Sequence, residues 1–352
     1  MDFISIDEYG DIYFTGEEKP VSSIDIAQTL LKNLKLNSEF ILETTFEDKT
    51  YIVESFDHPL LVHKVTSAQN KILIHTQYQM LFEADIKKFS LDPFDRICGL
   101  TTSQAPFRLT EKAQSQLFDQ CDRFDDDSFT LSEIKINTPN YYIENSAVSD
   151  SDYWTQVYHQ EKNLGKKPGW DLGEVANAFK DMLPRLKLPK SRILVLGCGE
   201  GHDAAFFAEV GHVVTAIDFS AEAIRRAQEK YGHLHNLTFI KEDIFNISHD
   251  WNYTFDIIIE HTCFCAIEPS RRKELIKLWR RLLHEEGQIM SLFFAMLKRS
   301  GPPYGSSEWE LRELLKKDFH FLFWGRWRDS FPRRLGRELF VLAKKRRTDA
   351  IS

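Results

Sequence analysis

The sequence has few of the features that mark secreted and membrane-spanning proteins. It contains five cysteines among 352 residues, an odd number without the regular spacing of a disulfide framework. The opening segment MDFISIDEYGDIYF carries acids where a signal peptide needs a basic region and an apolar run. No stretch reaches the roughly 18 uncharged apolar residues that a membrane span requires. We therefore expect a cytoplasmic protein with reduced thiols and no membrane partner.

Positive charge is scarce in the first part of the chain. Residues 1–150 contain 13 Lys and Arg against 26 Asp and Glu, whereas residues 151–352 contain 32 against 27. A nucleic-acid-binding protein would present a strongly basic face, so this balance argues against that class and favours a small-molecule substrate. At about 100–200 residues per domain, the length agrees with two domains, 1–150 and 151–352.

Residues 1–150 show short apolar runs separated by polar turns, a pattern typical of β-strands. The predicted strands are Asp11–Thr15, Phe40–Thr45, Thr50–Ser55, Leu60–Val65 and Lys71–Thr76. Apolar residues at helical spacing predict one helix over Ser22–Leu34. We expect an acidic α+β domain of unknown role, in which the acidic run Cys121–Phe129 is a solvated loop. Asp57 and His58 form either a binding site or a turn, and we favour the turn.

From Pro184 onward, strand patterns alternate with helix patterns, as in a parallel sheet covered by helices. The predicted strands are Arg192–Leu196, Val213–Ile217, Leu237–Lys241, Phe255–Glu260, Gln288–Phe294, His320–Trp324 and Glu338–Ala343. The predicted helices are Ala204–Val210, Ala221–Tyr231, Ser270–Leu283 and Glu308–Leu315. This order predicts an α/β fold with a Rossmann-like, seven-stranded, doubly wound sheet. Ligands of such sheets bind at the carboxyl ends of the strands.

Three glycines, Gly197, Gly199 and Gly201, follow the first of these strands in SRILVLGCGEGHD. Glycine lets the backbone turn tightly and approach a ligand closely. A dinucleotide-binding loop has glycine at the sixth position, where this chain has His202. The spacing therefore favours a nucleoside that carries an amino-acid tail.

Acids follow the next two strands. Asp218 ends the second strand, where an acid accepts hydrogen bonds from both ribose hydroxyls. Asp243 ends the third strand, where it would bind an adenine amino group, and Ile244 beside it would cover the ring. Turn glycines and solvated acids are the alternative interpretation. The glycine loop and the two acids together predict a nucleoside-cofactor site.

On these motifs the sequence resembles class I S-adenosylmethionine-dependent methyltransferases, and within them the thiopurine and thiol (halide) methyltransferase family, from Tyr153 to about Lys345. The matching segments are PGWDLG from Pro168, GCGEGHDA from Gly197, EHTCFCAIEPSRR from Glu260 and SGPPYG from Ser300. The resemblance implies S-adenosyl-L-methionine as cofactor and S-adenosyl-L-homocysteine as product. It also implies these cofactor contacts: an aromatic cap of Trp154, Tyr158 and Trp170, the methionine part on the backbone around Gly197, the ribose on Asp218, the adenine on Asp243 and Ile244, and His261 closing over the site.

The acceptor side is predicted from the same resemblance and from nearby residue types. The predicted substrate-binding residues are Phe264, Pro302, Pro303, Tyr304 and Arg334. The basic segment Arg326–Arg337 either supplies a cation for a thiolate or acidic substrate or forms a solvated hairpin, and we favour the hairpin. His261 is a candidate general base or a cofactor contact, and Glu260 is predicted to be a strand-end hydrogen-bonding group. Cys263 and Cys265 lack a second pair at zinc spacing, so we predict packing and no metal site.

A methyl group on a sulfonium is already activated, so catalysis is mainly the positioning of a nucleophile. We predict a cytoplasmic methyltransferase that transfers a methyl group from S-adenosyl-L-methionine to a small molecule, at a thiol sulfur. The alternatives are an N- or O-methyltransferase acting on a metabolite or protein, and a non-catalytic S-adenosylmethionine-binding module that signals through residues 1–150. Residues 1–150 are also the predicted surface for a homodimer or a partner, or a gate for the substrate.

Overall fold

The computed structural model describes residues 2–164 and 169–347, without the side chains of 160–164. The chain forms two compact units, each discontinuous in sequence. The N-terminal unit consists of Met1–Ile143, Met296–Arg299 and Ser307–Glu310. The C-terminal unit consists of Glu144–Ala295, Ser300–Ser306 and Leu311–Ser352. Its first boundary lies at residues 143 and 144 instead of 150 and 151, and the sequence did not predict the two later segments of the N-terminal unit.

The N-terminal unit is rich in short strands. In chain order they are β1 (Asp2–Ile6), β2 (Ile12–Phe14), β3 (Lys35–Leu36), β4 (Leu42–Phe46), β5 (Lys49–Ser55), β6 (Leu60–Ala68), β7 (Lys71–Thr76), β8 (Leu81–Glu83), β9 (Ser90–Leu91), β10 (Ile97–Leu100), β11 (Pro106–Leu109), β12 (Arg123–Asp125), β13 (Ser128–Leu131) and β14 (Ile134–Asn137). They form three sheets with the orders β2-β1-β5-β4-β3, β8-β7-β6-β11-β10-β9 and β12-β13-β14. The five predicted strands are confirmed as β2, β4, β5, β6 and β7.

Two helices accompany these sheets, α1 (Ile24–Lys32) and α2 (Glu111–Gln120). The predicted helix is confirmed as α1, which begins after Ser23, whose side chain accepts a hydrogen bond from Ile26 N. The sequence did not predict α2. Its buried residues are Ala113 and Leu117, and two apolar residues one turn apart give a weak helical pattern.

The expectation of a solvated loop at the acidic run Cys121–Phe129 is wrong. This segment enters a hairpin in which β12 pairs antiparallel with β13. Phe129 is 1% exposed and belongs to the core of the unit, whereas Phe124 is exposed. Ser128 and Phe129 are both buried at the start of β13, so the end of this acidic run packs in the unit instead of lying in solvent.

The C-terminal unit is built on one sheet. Its strands are β15 (Arg192–Leu196), β16 (Val213–Asp218), β17 (Leu237–Lys241), β18 (Phe255–His261), β19 (Leu283–Phe294), β20 (Phe319–Trp327) and β21 (Glu338–Lys345). The order is β17-β16-β15-β18-β19-β21-β20. The first five strands in this order are parallel, and β21 runs antiparallel to both of its neighbours. The predicted seven-stranded, doubly wound sheet is confirmed.

Helices cover both faces of this sheet. They are α3 (Ser151–Leu164), α4 (Asn177–Leu186), α5 (His202–Glu209), α6 (Ala221–Tyr231), α7 (Arg272–Leu282) and α8 (Glu308–Leu315). On β15, Leu194 packs in one apolar cluster with Trp279 of α7, whereas Val195 packs in the other with Phe179 of α4 and Phe207 of α5. Successive strand residues therefore face different layers, as in a parallel sheet that is buried on both sides. This arrangement leaves the carboxyl ends of the strands for ligands.

Candidate functional site

The predicted glycine loop connects β15 to α5, and all three glycines adopt positive φ. The values are +59° at Gly197, +54° at Gly199 and +83° at Gly201, a region that residues with a Cβ rarely adopt. A Cβ at Gly197 would lie 2.9 Å from Cys263 Cβ and Sγ, and one at Gly201 would lie 2.8 Å from the Phe239 ring. The loop therefore requires glycine both for its conformation and for its packing.

Asp218 ends β16 and binds the glycine loop directly. Its carboxylate oxygens accept hydrogen bonds from Gly199 N and Ser220 N, each at 2.9 Å. Burial raises the pKa of Asp218, and these two amides oppose the rise. A carboxylate offers about four acceptor positions. Asp218 is therefore fixed in place and can accept two further hydrogen bonds, as a ribose diol would donate.

The third predicted strand end lies at the same edge of the sheet. In the parallel pair of β16 and β17, Asp218 is the register partner of Lys241. Asp243 follows, and its Oδ1 accepts a hydrogen bond from Phe245 N at 2.9 Å. Ile244 is buried beside it. The structure thus brings the glycine loop, Asp218, Asp243 and Ile244 to one edge, and fixes Asp243 through the backbone.

The three predicted cap aromatics form a cluster against the glycine loop. The Trp170 ring lies edge-on to Trp154 at 5.4 Å and to Tyr158 at 5.9 Å between centroids. Tyr158 is buried, and its hydroxyl would lie 3.1 Å from a Cβ at Gly199. The missing Cβ of Gly199 therefore makes room for Tyr158. Pro168, which opens the segment PGWDLG, lies outside the described residues.

A chain of buried side chains holds His261. Its Nδ1 lies 2.7 Å from Asp203 Oδ2, and Arg334 Nη1 donates to its Nε2 at 2.6 Å. A guanidinium only donates, so this pattern assigns Nε2 as the acceptor and places the ring proton on Nδ1. Burial would raise the pKa of Asp203, but His261 and Ala176 N outweigh burial and lower it. Both ring nitrogens are engaged, which favours a positioning contact over proton transfer.

The expectation of a solvated basic hairpin over Arg326–Arg337 is wrong for Arg334. This residue is 2% exposed, and its Nη2 donates to the carbonyl of Trp170 at 2.6 Å. Arg333 Nη2 donates to the carbonyl of Asp171 at 2.7 Å. Backbone carbonyls in irregular segments need donors, and these two arginines supply them. They attach the cap segment to the chain before β21, while substrate binding by Arg334 stays a prediction.

The Gly-Pro-Pro loop lies next to the segment that follows β18. Tyr304 is fully buried, its N–H donates to Cys265 O at 2.7 Å, and its hydroxyl accepts from Asn145 N at 2.7 Å. Phe264 is also buried, with its ring 5.2 Å from that of Phe293. Pro302 and Pro303 are partly exposed, and both peptide bonds that precede them are cis. Tyr304 therefore anchors the loop, and the two prolines are partly exposed.

Sequence reasoning missed Arg272 as a site residue. Its side chain is 1% exposed and lies over the Phe264 ring, with Cζ 4.6 Å from the centroid. It donates to Ser306 Oγ at 2.9 Å and to Gly305 O at 3.1 Å. A cation in the first turn of a helix opposes the helix dipole, so Arg272 is retained there for these contacts. The sequence feature that could have indicated Arg272 is its place as a charged residue in the matching segment EHTCFCAIEPSRR.

Glu260 lies at the strand end, where the sequence placed it. Its Oε1 accepts a hydrogen bond from Phe264 N at 2.7 Å, and its Oε2 has no hydrogen-bond partner among the described residues. Burial raises the pKa of Glu260 to about 8, although Phe264 N, Cys263 N and Arg272 oppose the rise. The carboxyl group is therefore mostly protonated at pH 7.

The two cysteines after β18 are buried. Cys265 Sγ donates to Thr262 O at 3.2 Å, and burial raises the pKa of Cys265 to about 12. A protonated thiol is a poor metal ligand. Elsewhere in the described part of the chain, ligand atoms of Asp171, Glu200 and His202 lie within 4.8 Å of one another. Glu200 already pairs with the cations Arg226 and Lys230, so an ion-pair network accounts for this group.

The model of a protein family described as thiopurine S-methyltransferase (TPMT) matches residues 149–342, more than half of the chain. The chain belongs to this family. The match includes every residue that we assigned to the cofactor and acceptor sides. The family resemblance predicted from the sequence is confirmed. Most of the matched region lies in the C-terminal unit, and its segments Met296–Arg299 and Ser307–Glu310 belong to the N-terminal unit.

Curated relatives of this TPMT-family chain include proteins named as thiocyanate and thiol methyltransferases. Thiocyanate methyltransferase 1 of Brassica oleracea is 36% identical over 141 residues, which cover 38% of this chain and 61% of that protein. Probable thiol methyltransferase 2 of Arabidopsis thaliana is 34% identical over 152 residues, which cover 42% of this chain and 66% of that protein. The chain thus spans about three fifths to two thirds of the length of these relatives.

Two solved structures have a backbone similar to part of this chain. The structure described as "Conversion of a Disulfide Bond into a Thioacetal Group during Echinomycin Biosynthesis" has a TM-score of 0.48 and 21% identity, covering 57% of this chain and 94% of that chain. The 1,6-didemethyltoxoflavin-N1-methyltransferase of Burkholderia thailandensis has a TM-score of 0.44 and 20% identity, covering 65% of this chain and 99% of that chain.

Within residues 2–164 and 169–347, no helix combines the length and apolar character that crossing a bilayer requires.

Proposed function

We propose that this protein is an S-adenosyl-L-methionine-dependent methyltransferase that methylates the sulfur atom of a small molecule. The observation that carries the proposal is the glycine loop with positive φ beside Asp218, whose carboxylate is held by two backbone amides. This arrangement lies in the TPMT-family region. The names of the thiocyanate and thiol methyltransferases support sulfur as the accepting atom.

The residues at this edge of the sheet fit the proposed cofactor. Asp218 has acceptor positions for two ribose hydroxyls, and Asp243 with Ile244 would hold the adenine ring. Trp154, Tyr158 and Trp170 would cover the cationic sulfur, which aromatic faces attract. When bound, S-adenosyl-L-methionine supplies a methyl group on a positively charged sulfur.

The protein's part in the reaction is to place the nucleophile and exclude water. In an in-line displacement, the acceptor sulfur forms a bond to the methyl carbon as the carbon–sulfonium bond breaks, and the electron pair of that bond stays on the departing sulfur. Correct placement of the two reactants is worth several kcal/mol of the barrier. The buried Tyr304 anchors the loop that bears Pro302 and Pro303, and these prolines would contact the acceptor.

Two buried guanidinium groups favour an anionic acceptor such as a thiolate. Arg272 and Arg334 are 1% and 2% exposed. Both oppose the rise in the pKa of the Cys265 thiol that burial causes, so their positive charge acts on a sulfur atom at this end of the site. An acceptor thiol placed here would be stabilised as its thiolate by the same charges.

The geometry gives less support to a nitrogen or oxygen acceptor. Such nucleophiles generally need a base, and both ring nitrogens of His261 are already engaged. Glu260 is mostly protonated at pH 7 because burial raises its pKa to about 8. A non-catalytic binding module would bind the cofactor and form no product with any acceptor. We further propose a cytoplasmic location, where its five free cysteines would stay reduced.

Calorimetric titration of the full-length protein with S-adenosyl-L-homocysteine and S-adenosyl-L-methionine tests the cofactor. We expect both to bind with dissociation constants on the order of micromolar. Methyl transfer to thiocyanate, thiophenol and phenol then tests the acceptor. We expect product from the two sulfur compounds, with the thiophenol rate rising with pH as the thiol ionises. No binding of either ligand to the folded protein would overturn the cofactor, and faster methylation of phenol would overturn sulfur.

A further inference from the structure

The N-terminal unit includes two short segments from late in the sequence. They are Met296–Arg299 and Ser307–Glu310, and they directly flank Ser300–Ser306, which belongs to the C-terminal unit. Ser300–Ser306 is the Gly-Pro-Pro loop that we place at the acceptor. The N-terminal unit therefore contains both chain segments from which the acceptor loop begins and ends.

The segment after the loop is anchored through Trp309. Its N–H donates to Phe56 O at 2.9 Å. Its ring lies 3.3 Å from Arg96 Cζ, measured to the ring centroid, and edge-on to Phe94 at 5.0 Å. A cation on a tryptophan face is favourable, more so when it is partly desolvated. Next to it, Tyr142 Oη donates to Glu310 Oε2 at 2.5 Å, and both of these side chains are buried.

Arg96 connects Trp309 to the buried charges of the unit. Its Nη1 donates to Asp57 Oδ2 and its Nε to Asp92 Oδ2, each at 2.7 Å. Charge-assisted pairs of this kind are short and directional. The guanidinium plane is therefore fixed by two carboxylates, and Trp309 packs on a rigid surface.

The segment before the loop is anchored through Arg299. Its Nε donates to Tyr141 O at 2.7 Å, and its own carbonyl accepts from Ile143 N at 3.0 Å. Its guanidinium also lies over the Tyr141 ring, 5.1 Å from the centroid. The carbonyl acceptor and the side-chain donor fix both the backbone and the direction of the side chain at the residue that immediately precedes the loop.

Within the C-terminal unit the loop itself is short and held near its end. Ala295 and Ser306 form an isolated parallel bridge, and Arg272 donates to Gly305 O and Ser306 Oγ. The loop, Ser300–Ser306, is joined directly to both flanking segments. A displacement of either segment therefore moves the end of the loop that is bonded to it.

We propose that the N-terminal unit positions the acceptor loop through Met296–Arg299 and Ser307–Glu310, and so determines acceptor recognition while leaving cofactor binding unchanged. This role rests on the proposed function, because it assigns the loop to the acceptor. It makes Trp309, Tyr142 and Arg299 positioning residues, since none of them belongs to the cofactor side.

Hydrogen–deuterium exchange of the full-length protein tests the positioning without an acceptor. In Trp309→Ala we expect amide exchange in a peptide covering residues 300–306 to accelerate at least tenfold, because Tyr304 N–H loses its fixed geometry to Cys265 O. Exchange in a peptide covering residues 193–201 should stay unchanged. Tyr142→Phe, which removes the hydrogen bond to Glu310 and keeps the aromatic ring, should give a severalfold acceleration at 300–306. Phe124→Ala, an exposed aromatic of the same unit, is the matched control and should change neither peptide.

Steady-state kinetics with thiophenol separates acceptor recognition from catalysis. Trp309→Ala should raise the KM for thiophenol at least tenfold, with the KM for S-adenosyl-L-methionine and the Kd of S-adenosyl-L-homocysteine within twofold of the wild type. Unchanged exchange at 300–306 in folded Trp309→Ala would overturn the proposal, and Tyr142→Phe decides if Trp309→Ala does not fold. Absence of S-adenosyl-L-homocysteine binding to the wild type overturns the proposed function instead, so the two failures are distinguishable.

Discussion

In the N-terminal unit Asp57 is buried against cations, whereas in the C-terminal unit Glu260 is buried against backbone amides. Asp57 Oδ2 accepts from Arg96 Nη1 at 2.7 Å and pairs with Arg108, and Asp57 Oδ1 lies 3.1 Å from His58 Nδ1. Burial alone would raise the pKa of Asp57, but His58 and the two arginines hold it well below its usual range. Glu260 is held by Phe264 N and shows the opposite shift, to about 8.

The difference distinguishes a carboxylate with a structural role from a carboxyl group of the candidate site. The oxygens of Asp57 already pair with His58, Arg96 and Arg108. Asp57 therefore compensates the positive charge of two partly buried guanidinium groups. Asp218 resembles Glu260, because it too is held by backbone amides and burial raises its pKa. A carboxylate that is held only by backbone amides still has oxygen lone pairs free to accept hydrogen bonds from a ligand. Carboxyl groups with a perturbed pKa are typical of functional sites.

The largest effect should come from breaking the compensation in the N-terminal unit. Asp57→Ala leaves the partly buried Arg96 and Arg108 without their shared carboxylate. Removing one partner of a buried ion pair costs about 3–5 kcal/mol, and we expect a loss of this size in the free energy of unfolding. Urea unfolding followed by circular dichroism measures it.

Lys71→Ala is the control for Asp57→Ala. It removes the surface pair of Lys71 with Glu83, and exposed pairs contribute at most about 1 kcal/mol. Equal losses in the two variants would contradict the structural role that we give to Asp57.

Glu260→Gln tests the contrast between Glu260 and Asp57 through the pH dependence of the free energy of unfolding. The folded protein holds a proton on Glu260 up to about pH 8, whereas the unfolded chain releases it near pH 4.3. Between these values the folded state binds more protons, so wild-type stability falls as pH rises and levels off above pH 8. Glutamine mimics the protonated acid and lacks this slope. From pH 5 to 8, the stability of Glu260→Gln relative to wild type should increase by up to about 4 kcal/mol, three pH units at about 1.4 kcal/mol each.

Urea unfolding of both proteins at pH 5, 6.5, 8 and 9 measures this difference. Glu286→Gln is the control, since Glu286 is exposed and its pKa is lowered to about 2 by Lys344 and Arg347. A group of this kind loses its contribution as pH falls, so it should add no slope above pH 5. A relative stability of Glu260→Gln that stays constant with pH would show that Glu260 is already ionised in the folded protein.

The sequence predicted the C-terminal unit well because the site residues of this unit lie next to the strands that position them. The glycines, Asp218 and Asp243 each follow a strand directly, so a correct strand prediction places them at one edge. The segment around Arg334 was predicted to be a solvated hairpin because a run of arginines usually is solvated. The burial of Arg334 depends on Glu338 and on the carbonyl of Trp170 in a distant segment. No local pattern indicates such long-range partners.

The N-terminal unit was harder to predict for the same reason. Asp57, Arg96 and Arg108 come from different parts of the chain, and only the packing of β6, β10 and β11 brings them together. From the residues next to it in sequence, Asp57 was predicted to be a turn residue. The contribution of Trp309 to this unit depends on contacts that span more than 200 residues of sequence, as its N–H to Phe56 O hydrogen bond shows.

Asp218→Ala tests the site side of the comparison. It should weaken binding of S-adenosyl-L-homocysteine by about 1–3 kcal/mol, the usual cost of removing a hydrogen-bonding charged group. Calorimetric titration measures the change. Asp256→Ala is the matched control, because Asp256 lies at the opposite end of the sheet and accepts from Arg192 N. Unchanged affinity in Asp218→Ala would show that the ribose does not bind at β16.

The smallest effect should come from Arg333→Ala, which removes one of the two arginines that hold the cap segment. Arg333 is exposed, and the variant loses its hydrogen bond to Asp171 O while Arg334 still binds Trp170 O. A net hydrogen bond is worth about 0.5–1.5 kcal/mol, so we expect S-adenosyl-L-homocysteine to bind roughly twofold to tenfold more weakly, with unchanged stability. Lys317→Ala removes an exposed cation elsewhere in the same unit and should leave binding unchanged. Equal affinities of Arg333→Ala and Lys317→Ala would mean that Arg334 alone sets the position of the cap.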